Sequence, residues 1–469
     1  MKILIGNMKL SITGIALNGV LGAGLLMMAG CKGLPTRSEL AAREDLQTVR
    51  QRYRPEVGER QLPRLDTNST LADLLVFGML NQPRVEAAYY DYAEAVERIT
   101  LERSLPDPRL TLELDIQDIV RTVMPGLMSE VPWVKKLRIR ADVVSAESQA
   151  RYYVFESAVL QTAYAIKRAY YQLHFLEERL RIHRETLLLL GEFEQAARSQ
   201  TEAGRATLQD VLRAQIEQER LRTEIENVED SRKPLLAQLK AALGLKADQQ
   251  DPPLPAKLES TPLEASADRM LAIAMERNPR LRQMEAEVRM AESGIKLARQ
   301  SRLPDFDAGI EADFKAAPVM WRPSIGVTLP IWRDKIAAEI AAAQARKSAA
   351  QARLSAEQIQ LAVEVAEKSF TCREAARNLE LLRSVLLPKA RQALEIARAA
   401  YSTGRTDFIN LLDAQRSFLE FQLAEVDAMT RRELALAELS LLTGGIQPAG
   451  APVLGVPANP APSKQIQQK

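Results

Sequence analysis

The sequence predicts a mainly α-helical chain with a small β part, built as two copies of one unit. Three observations carry this. Thr201–Ile216 and Tyr401–Arg416 share residues at a fixed offset of 200: Gly204 with Gly404, Arg205 with Arg405, Leu212 with Leu412, Gln215 with Gln415, and on to Gly244 with Gly444. So many identities at one offset mark a duplication. Long segments of helical pattern flank each tip glycine, so each copy reads as an αα-hairpin. Two short segments per copy alternate apolar and polar residues, the period of a strand.

Composition agrees. The chain has 469 residues, 46% hydrophobic, 26% charged and only 5% aromatic. That mixture suits long helices with narrow apolar seams. With 63 basic and 61 acidic residues there is no field that favours nucleic acid. The two cysteines, Cys31 and Cys372, lie far apart, and Cys372 reads as a packed small residue in a helix.

In chain order, residues 1–30 read as a lipoprotein signal peptide. Lys2 and Lys9 precede an apolar run that closes at Met28-Ala29-Gly30-Cys31. Asn18 and several glycines interrupt the run, which weakens a permanent membrane span. A Cys after Ala-Gly resembles the lipobox of bacterial lipoproteins. Cys31 is the expected lipidation site, and two or more acyl chains would anchor stably. Lys32 is compatible with the outer membrane. Residues 31–70, with Pro35, Pro55 and Pro63, read as an extended N-terminal arm.

The first repeat covers 71–250 and the second 263–445. The first opens on a helical region, Leu71 to Ser104, interrupted at Asn81-Gln82-Pro83, and the second has Asn278-Pro279 and a helix to Arg302; they lead to Leu105-Pro106-Asp107 and Leu303-Pro304-Asp305. Strands follow: Leu110 to Ile116 and Phe306 to Phe314, returning through Leu127 to Trp133 and Ser324 to Ile331. Each copy thus holds one hairpin of strands long enough to cross a bilayer when tilted. Trp133, Trp321 and Trp332, all the tryptophans of the chain, fall at strand ends, the place a membrane interface selects. An isolated pair of hairpins has no soluble core. The strands' polar face carries Glu113, Asp115, Asp307, Glu311 and Asp313, an acidic lining suited to a water-filled lumen.

Long helices run from Lys135 to about Gln200, roughly 90–100 Å if straight, and from Asp334 to Ser402, with a kink expected at Pro388. Leu188 stands opposite that proline, so the copies need not bend alike. Residues 251–262, with Pro252, Pro253, Pro255 and Pro262, are a rigid linker. Residues 446–469, rich in Pro, Ala and Gln, are expected to be disordered.

The order of these marks in both copies resembles the TolC-like outer-membrane factors of tripartite efflux and secretion systems. They are the duplication, the Asn–Pro helix leading to Leu-Pro and a strand, the hairpin ending Leu329-Pro330, and Tyr401-x-x-Gly404 running into Leu412-Asp413-Ala414. The lipobox resembles the family's lipid-anchored branch. The resemblance covers 71–445. It implies a homotrimer whose four strands per chain close a 12-stranded transmembrane β-barrel and whose hairpins form a trimeric α-barrel across the periplasm. It implies a periplasmic adaptor and an inner-membrane pump as partners, and no cofactor beyond the lipid on Cys31. Positions matching the family's periplasmic aperture are Asp210, Asn410 and Asp413, where Asn410 replaces a frequent Asp. A ring of three Asp413 carboxylates would favour cations and resist closure. Arg205 and Arg405, beside Gly204 and Gly404, are candidates for their partner or for adaptor contact.

No catalytic set emerges. His174 and His183 are nine apart, and no HExxH, CxxC or phosphate loop occurs; His174 reads as packed or lumen-facing, since a zinc site needs more ligands. At the tips, Leu208, Val211 and Leu212, like Phe408, Leu411 and Leu412, have the spacing of a packing seam. The function expected is a passive exit duct of the outer membrane. The rivals are a periplasmic adaptor, which should have one hairpin beside lipoyl-like β segments, and a structural coiled coil, which leaves the signal and the strands unexplained.

Overall fold

The computed structural model describes residues 35–53, 62–66, 69–116, 120–254, 266–314, 316 and 318–446. Cys31, the signal segment, most of the Pro-rich linker and all but the first residue of the tail lie outside the described residues. The chain divides into two compact units. One takes the described residues up to Asp45 with Val96–Ser145 and Glu292–Ala343; the other takes Leu46–Ala95, Ala146–Ala291 and the chain from Gln344.

The first element corrects the sequence reading. Where an extended arm is expected, α1 runs Arg37–Tyr53. Thr36 caps it, its Oγ1 accepting from the Glu39 N–H at 3.1 Å. Glu39, Ala42 and Tyr53 are buried and Leu46 and Val49 partly so, a heptad-like stripe of one helix face. The buried charge is paired: Glu39 meets Arg103 and accepts from Thr100 at 2.9 Å and Arg43 at 3.2 Å. Burial pushes its carboxyl up, but hydrogen bonds from Arg103, Thr100 and Arg43 outweigh that and hold it below the usual carboxylate range.

The first repeat opens as expected, and the second opens on a further helix ahead of Asn278-Pro279. Helix α2 (Leu71–Asn81) starts in a capping box between Thr70 and Asp73, and α3 runs Pro83–Arg103. In the second copy α7 (Ala267–Arg277) is capped by Ser266, and α8 runs Pro279–Gln300. The asparagine before each proline has a shared task. Asn81 donates to the carbonyls of Leu243 (2.9 Å) and Gly244 (3.2 Å), and Asn278 to that of Leu442 (3.0 Å). Those carbonyls end the returning helices, which stop at left-handed Gly244 (φ 72°) and Gly444 (φ 70°). A Cβ on Gly244 would stand 2.6 Å from the Asn81 carbonyl oxygen, so close approach as well as φ demands glycine.

Four antiparallel strands form one sheet in the order β1 (Arg109–Ile116), β2 (Val120–Val131), β3 (Asp305–Asp313), β4 (Met320–Thr328). Two hairpins were expected; the β2–β3 pairing joins them. Register puts Leu110 opposite Leu127, Leu127 opposite Ile310, and Ile310 opposite Pro323, so one face is apolar. That face lies bare, with Leu110 83% and Ile325 81% exposed. The other face is polar, with Glu130 opposite Asp307 and Glu311 opposite Arg322. Its acids are partly balanced, Arg109 meeting Glu130 at 3.2 Å and Arg322 meeting buried Asp313 at 3.9 Å. β2 begins seven residues before the expected Leu127. Met124, Gly126 and Met128 on the polar face and Pro125 on the apolar one blur its alternation.

Lys136 ties the sheet to the helices. Lys136, in the first turn of α4 (Val134–Glu202), donates to both Asp305 carboxylate oxygens at 2.8 Å and to the Leu303 carbonyl at 2.9 Å. The Trp133 N–H donates to the same carboxylate at 3.2 Å. Trp133 lies two residues past β2 with its ring 6.0 Å from that of Phe306. Trp321 is the second residue of β4, and Trp332 directly precedes the next helix. All three tryptophans are exposed.

Helix α4 is unbroken for 69 residues. Its counterpart is interrupted: α9 (Arg333–Leu381), a π turn (Leu382–Leu386), then α10 (Leu387–Ser402). Pro388 has no N–H and its ring crowds the carbonyl four residues back. The chain answers with a widened turn, not a break. The stretch 333–402 is one residue longer than 134–202, and the π turn absorbs the surplus. In the return arms the asymmetry reverses. Pro234 accompanies a division into α5 (Leu208–Asp230) and α6 (Arg232–Leu243), whereas α11 (Phe408–Leu442) is continuous. Leu74, Ile166, Tyr170, Leu239 and Leu243 form the core of the first copy, and Met270, Leu361, Val365, Cys372 and Leu439 that of the second. Cys372 is packed there as expected.

Candidate functional site

Two helix-turn-helix tips lie side by side in one chain. Each turn closes by the same hydrogen bonds. Gly204 and Gly404 donate to the carbonyls of Thr201 and Tyr401, and Arg205 and Arg405 to those of Gln200 and Ala400, all within 2.8–3.0 Å. Both glycines are left-handed, at φ 71° and 70°, with open space about the missing Cβ. Conformation alone therefore requires glycine here, and both tips are exposed.

Between the tips lies one apolar cluster shared by both hairpins. It contains Phe193, Ala197, Val211, Leu394, Tyr401, Phe408, Leu411 and Leu412. The expected seam is correct for the second copy, where Phe408, Leu411 and Leu412 are each 1% exposed. It is wrong for the first. Only Val211 is buried, while Leu208 and Leu212 face outward, with Ile216 one turn further along α5. The larger Phe408 and the Tyr401 ring, 5.3 Å apart, fill the space between the hairpins. Phe→Ala at such a position costs about 3–5 kcal/mol.

Polar bridges cross the same junction. Gln200 donates to the Ser402 carbonyl at 3.2 Å, Arg398 meets Glu192 at 2.8 Å, and Arg416 meets Glu217 at 2.5 Å. The expected aperture residues sit around these bridges. Asp210 is half-buried, with Arg213 one turn on at 3.8 Å. Asn410 is exposed and donates to the Thr406 hydroxyl at 3.0 Å. Asp413 is exposed, with Arg416 at 3.7 Å. Arg205 and Arg405, candidate partners of Asp413, form no ion pair among the described residues; Arg416 takes that place because it lies one helical turn away on the same face. The Tyr401 hydroxyl is buried without a hydrogen-bond partner among the described residues. Burial, and then the Asp210 carboxylate, push its pKa up to about 12. Asp210 and Tyr401 are thus brought together from different copies.

Sequence reasoning missed a clasp in the first hairpin. Glu194 on α4 accepts from Gln215 and Gln218 on α5, both at 2.8 Å, and from Arg198. Hydrogen bonds from Arg198, Gln215 and Gln218 pull its carboxyl down to about 2. The identity of Gln215 with Gln415 was the available signal. In the second copy Leu394 stands where Glu194 does, and the Gln415 side-chain oxygen is buried without a hydrogen-bond partner among the described residues.

The histidines do not converge. His174 stacks with Tyr170 at 6.1 Å, and burial lowers its pKa; His183 is 2% exposed. No group that could hold a metal ion occurs among the described residues. None of the described helices is long and apolar enough to cross a membrane.

Residues 270–445 match the model of the outer membrane efflux protein family. Outer membrane protein OprJ of Pseudomonas aeruginosa is 26% identical over 181 residues, 36% of this chain and 38% of OprJ. Cobalt-zinc-cadmium resistance protein CzcC of Cupriavidus metallidurans is 21% identical over 279 residues, 59% of this chain and 66% of CzcC. The chain therefore spans less than two thirds of either relative. The solved outer membrane protein VceC of Vibrio cholerae superposes with a TM-score of 0.68 over 81% of this chain and 99% of its own, at 16% identity, which shows a shared fold.

Because the Glu194 carboxyl is depressed from an ordinary value near 4.5 to about 2, its contribution is complete above pH 4.5 and is lost as pH falls toward 2. Amide hydrogen exchange around residues 190–220 should accelerate across that window. Glu194→Ala should remove the window at a cost of about 1.5–3 kcal/mol; an unchanged pH profile in the variant would exclude the clasp.

Proposed function

From the match of residues 270–445 to the outer membrane efflux protein family and the resemblance of the chain to TolC-like outer-membrane factors, we propose that it is the outer-membrane exit duct of a tripartite efflux or secretion system. Cargo passes through it unreacted. Three copies close their four-stranded sheets into a 12-stranded barrel, and the hairpins form an α-barrel reaching a periplasmic adaptor that links to an inner-membrane pump. The Gly204 and Gly404 tips, with Arg205 and Arg405, are the adaptor-facing surface.

The observation that carries this reading is the sheet. One face is apolar and bare, the other polar, and β1 and β4 each have one strand partner within the chain. In lipid such edges must be closed. The adaptor and coiled-coil readings leave the sheet without a purpose. The duplication supplies the closing contact. Counted from the helix starts, Lys335 in α9 corresponds to Lys136 in α4, and Asp107 of Leu105-Pro106-Asp107 corresponds to Asp305. Lys136 and Asp305 are bridged inside the chain. Lys335 and Asp107 are both exposed and make no ion pair among the described residues. The same bridge forms between neighbours, joining β4 of one copy to β1 of the next. The exposed Trp133, Trp321 and Trp332 then sit at the membrane interface, and Cys31 carries a lipid on the same outer-membrane assembly.

The tips form the aperture. In the first copy Asp210 is balanced by Arg213; in the second, Asn410 and Asp413 occupy the same two positions. Each chain thus presents one half-buried carboxylate, Asp210, and one exposed carboxylate, Asp413, each with an arginine one turn on, and threefold symmetry makes the exposed one a ring.

Lys335→Cys combined with Asp107→Cys should be joined by a short bis-thiol reagent into covalent trimers in the outer membrane, with neither single variant giving them. Species no larger than monomer from the double variant would count against barrel closure. In planar bilayers Asp413→Ala should lower the cation-over-anion permeability ratio by up to about fivefold; equal ratios would remove Asp413 from the aperture. Acyl-label incorporation should be lost in Cys31→Ser, and retained label would place the lipid elsewhere.

A further inference from the structure

Beneath the ends of β2 and β3 lies a cavity of about 880 Å³, open to solvent. Its apolar wall is Val131, Phe306 and Trp133, the last two in ring contact. Its rim holds four cations. Lys135 and Arg138 stand on the first turns of α4, and Lys296 and Arg299 on the last turns of α8. None of the four makes an ion pair among the described residues, whereas the neighbouring Lys136 is spent on Asp305. The carboxylate that lines the cavity, Asp142, already accepts from the Ser38 hydroxyl at 2.9 Å. The cavity also holds a buried acceptor: the Gln300 side-chain oxygen has no hydrogen-bond partner among the described residues.

These features describe one kind of guest. Unbalanced cations at the mouth call for a phosphate. The orphaned Gln300 oxygen calls for a hydroxyl donor beside that phosphate. The aromatic wall is continuous with the apolar face of the sheet, since Val131 and Phe306 both belong to it, and suits the upper acyl chain. We propose that this cavity is a binding site for the headgroup of an anionic glycerophospholipid, of phosphatidylglycerol type, drawn from the leaflet at the base of the sheet.

The site rests on the reading that the apolar sheet face lies in a membrane, and the test separates the two. Two single-tryptophan variants of the full chain are reconstituted into vesicles: Trp321→Phe/Trp332→Phe, which keeps Trp133 in the cavity wall, and Trp133→Phe/Trp332→Phe, which keeps Trp321 on the sheet. Each is titrated with tail-brominated phosphatidylglycerol or phosphatidylcholine. Trp133 should be quenched at about fivefold lower mole fraction by the anionic lipid, and Trp321 about equally by both. Replacing Lys135, Arg138, Lys296 and Arg299 by Gln should abolish the preference at Trp133, and Arg138→Lys/Arg299→Lys should keep most of it. Equal quenching of Trp133 by the two lipids, with Trp321 still quenched, would overturn the site and leave the membrane reading standing. Quenching of neither tryptophan would overturn both. Loss of the preference on adding millimolar inorganic phosphate would show a site for free phosphate and overturn the lipid assignment.

Discussion

The bridge between Lys136 and Asp305 is the contact on which the rest of the sheet depends. A nearly buried ammonium is held by both oxygens of one carboxylate and by the Leu303 carbonyl. Removing Asp305 would leave that ammonium stranded in the interior, whereas Asp305 itself is half-exposed and keeps contact with water. The bridge stabilises more than its own contact. Asp305 is the first residue of β3 and Lys136 follows β2 by five positions, so the bridge fixes where the two strands begin to pair. A slip of one residue would carry Asp307 and Glu311 onto the apolar face. The separation of the apolar face from the polar face thus leans on one lysine beneath the sheet.

The tips show how a duplication becomes asymmetric without losing its frame. Backbone geometry at Gly204 and Gly404 is the same to within a degree in φ. The side chains around it have diverged in kind. The first hairpin is held by a charged clasp, Glu194 with two glutamines, and leaves Leu208 and Leu212 outside. The second is held by apolar packing around Phe408 and leaves Asp413 outside. Both arms share the apolar cluster between the tips, and the first adds an acid-sensitive contact that the second lacks.

Much of this was readable from the residues. Fixed-offset identities gave the duplication, period-two runs gave the hairpins, and Asn–Pro and Leu-Pro marked helix boundaries. Helix α1 was equally written in the chain, in the Thr36–Glu39 cap and the spacing of Ala42, Leu46, Val49 and Tyr53. Three prolines and a glutamate at a core position masked it, since a buried Glu39 is understandable only once Arg103 is beside it. The tip pairs were unreadable for a different reason. Arg416 with Glu217, and Tyr401 beside Asp210, join residues about 190–200 positions apart whose meeting depends on how two hairpins pack. Likewise, identical spacing at Leu208 and Phe408 cannot say which of the two occupies the shared space.

The π turn before Pro388 settles an account in angle. One extra residue in a continuous α-helix would turn everything beyond it by about 100° and advance it by about 1.5 Å. Tyr401 would then leave the space beside Phe408, and Gly404 would no longer stand level with Gly204. By spending the surplus in a single wide turn, the chain keeps both ends of the helix in phase. The turn acts as a phase corrector, through which one arm of a duplicated strut can change length while its tip keeps its bearing.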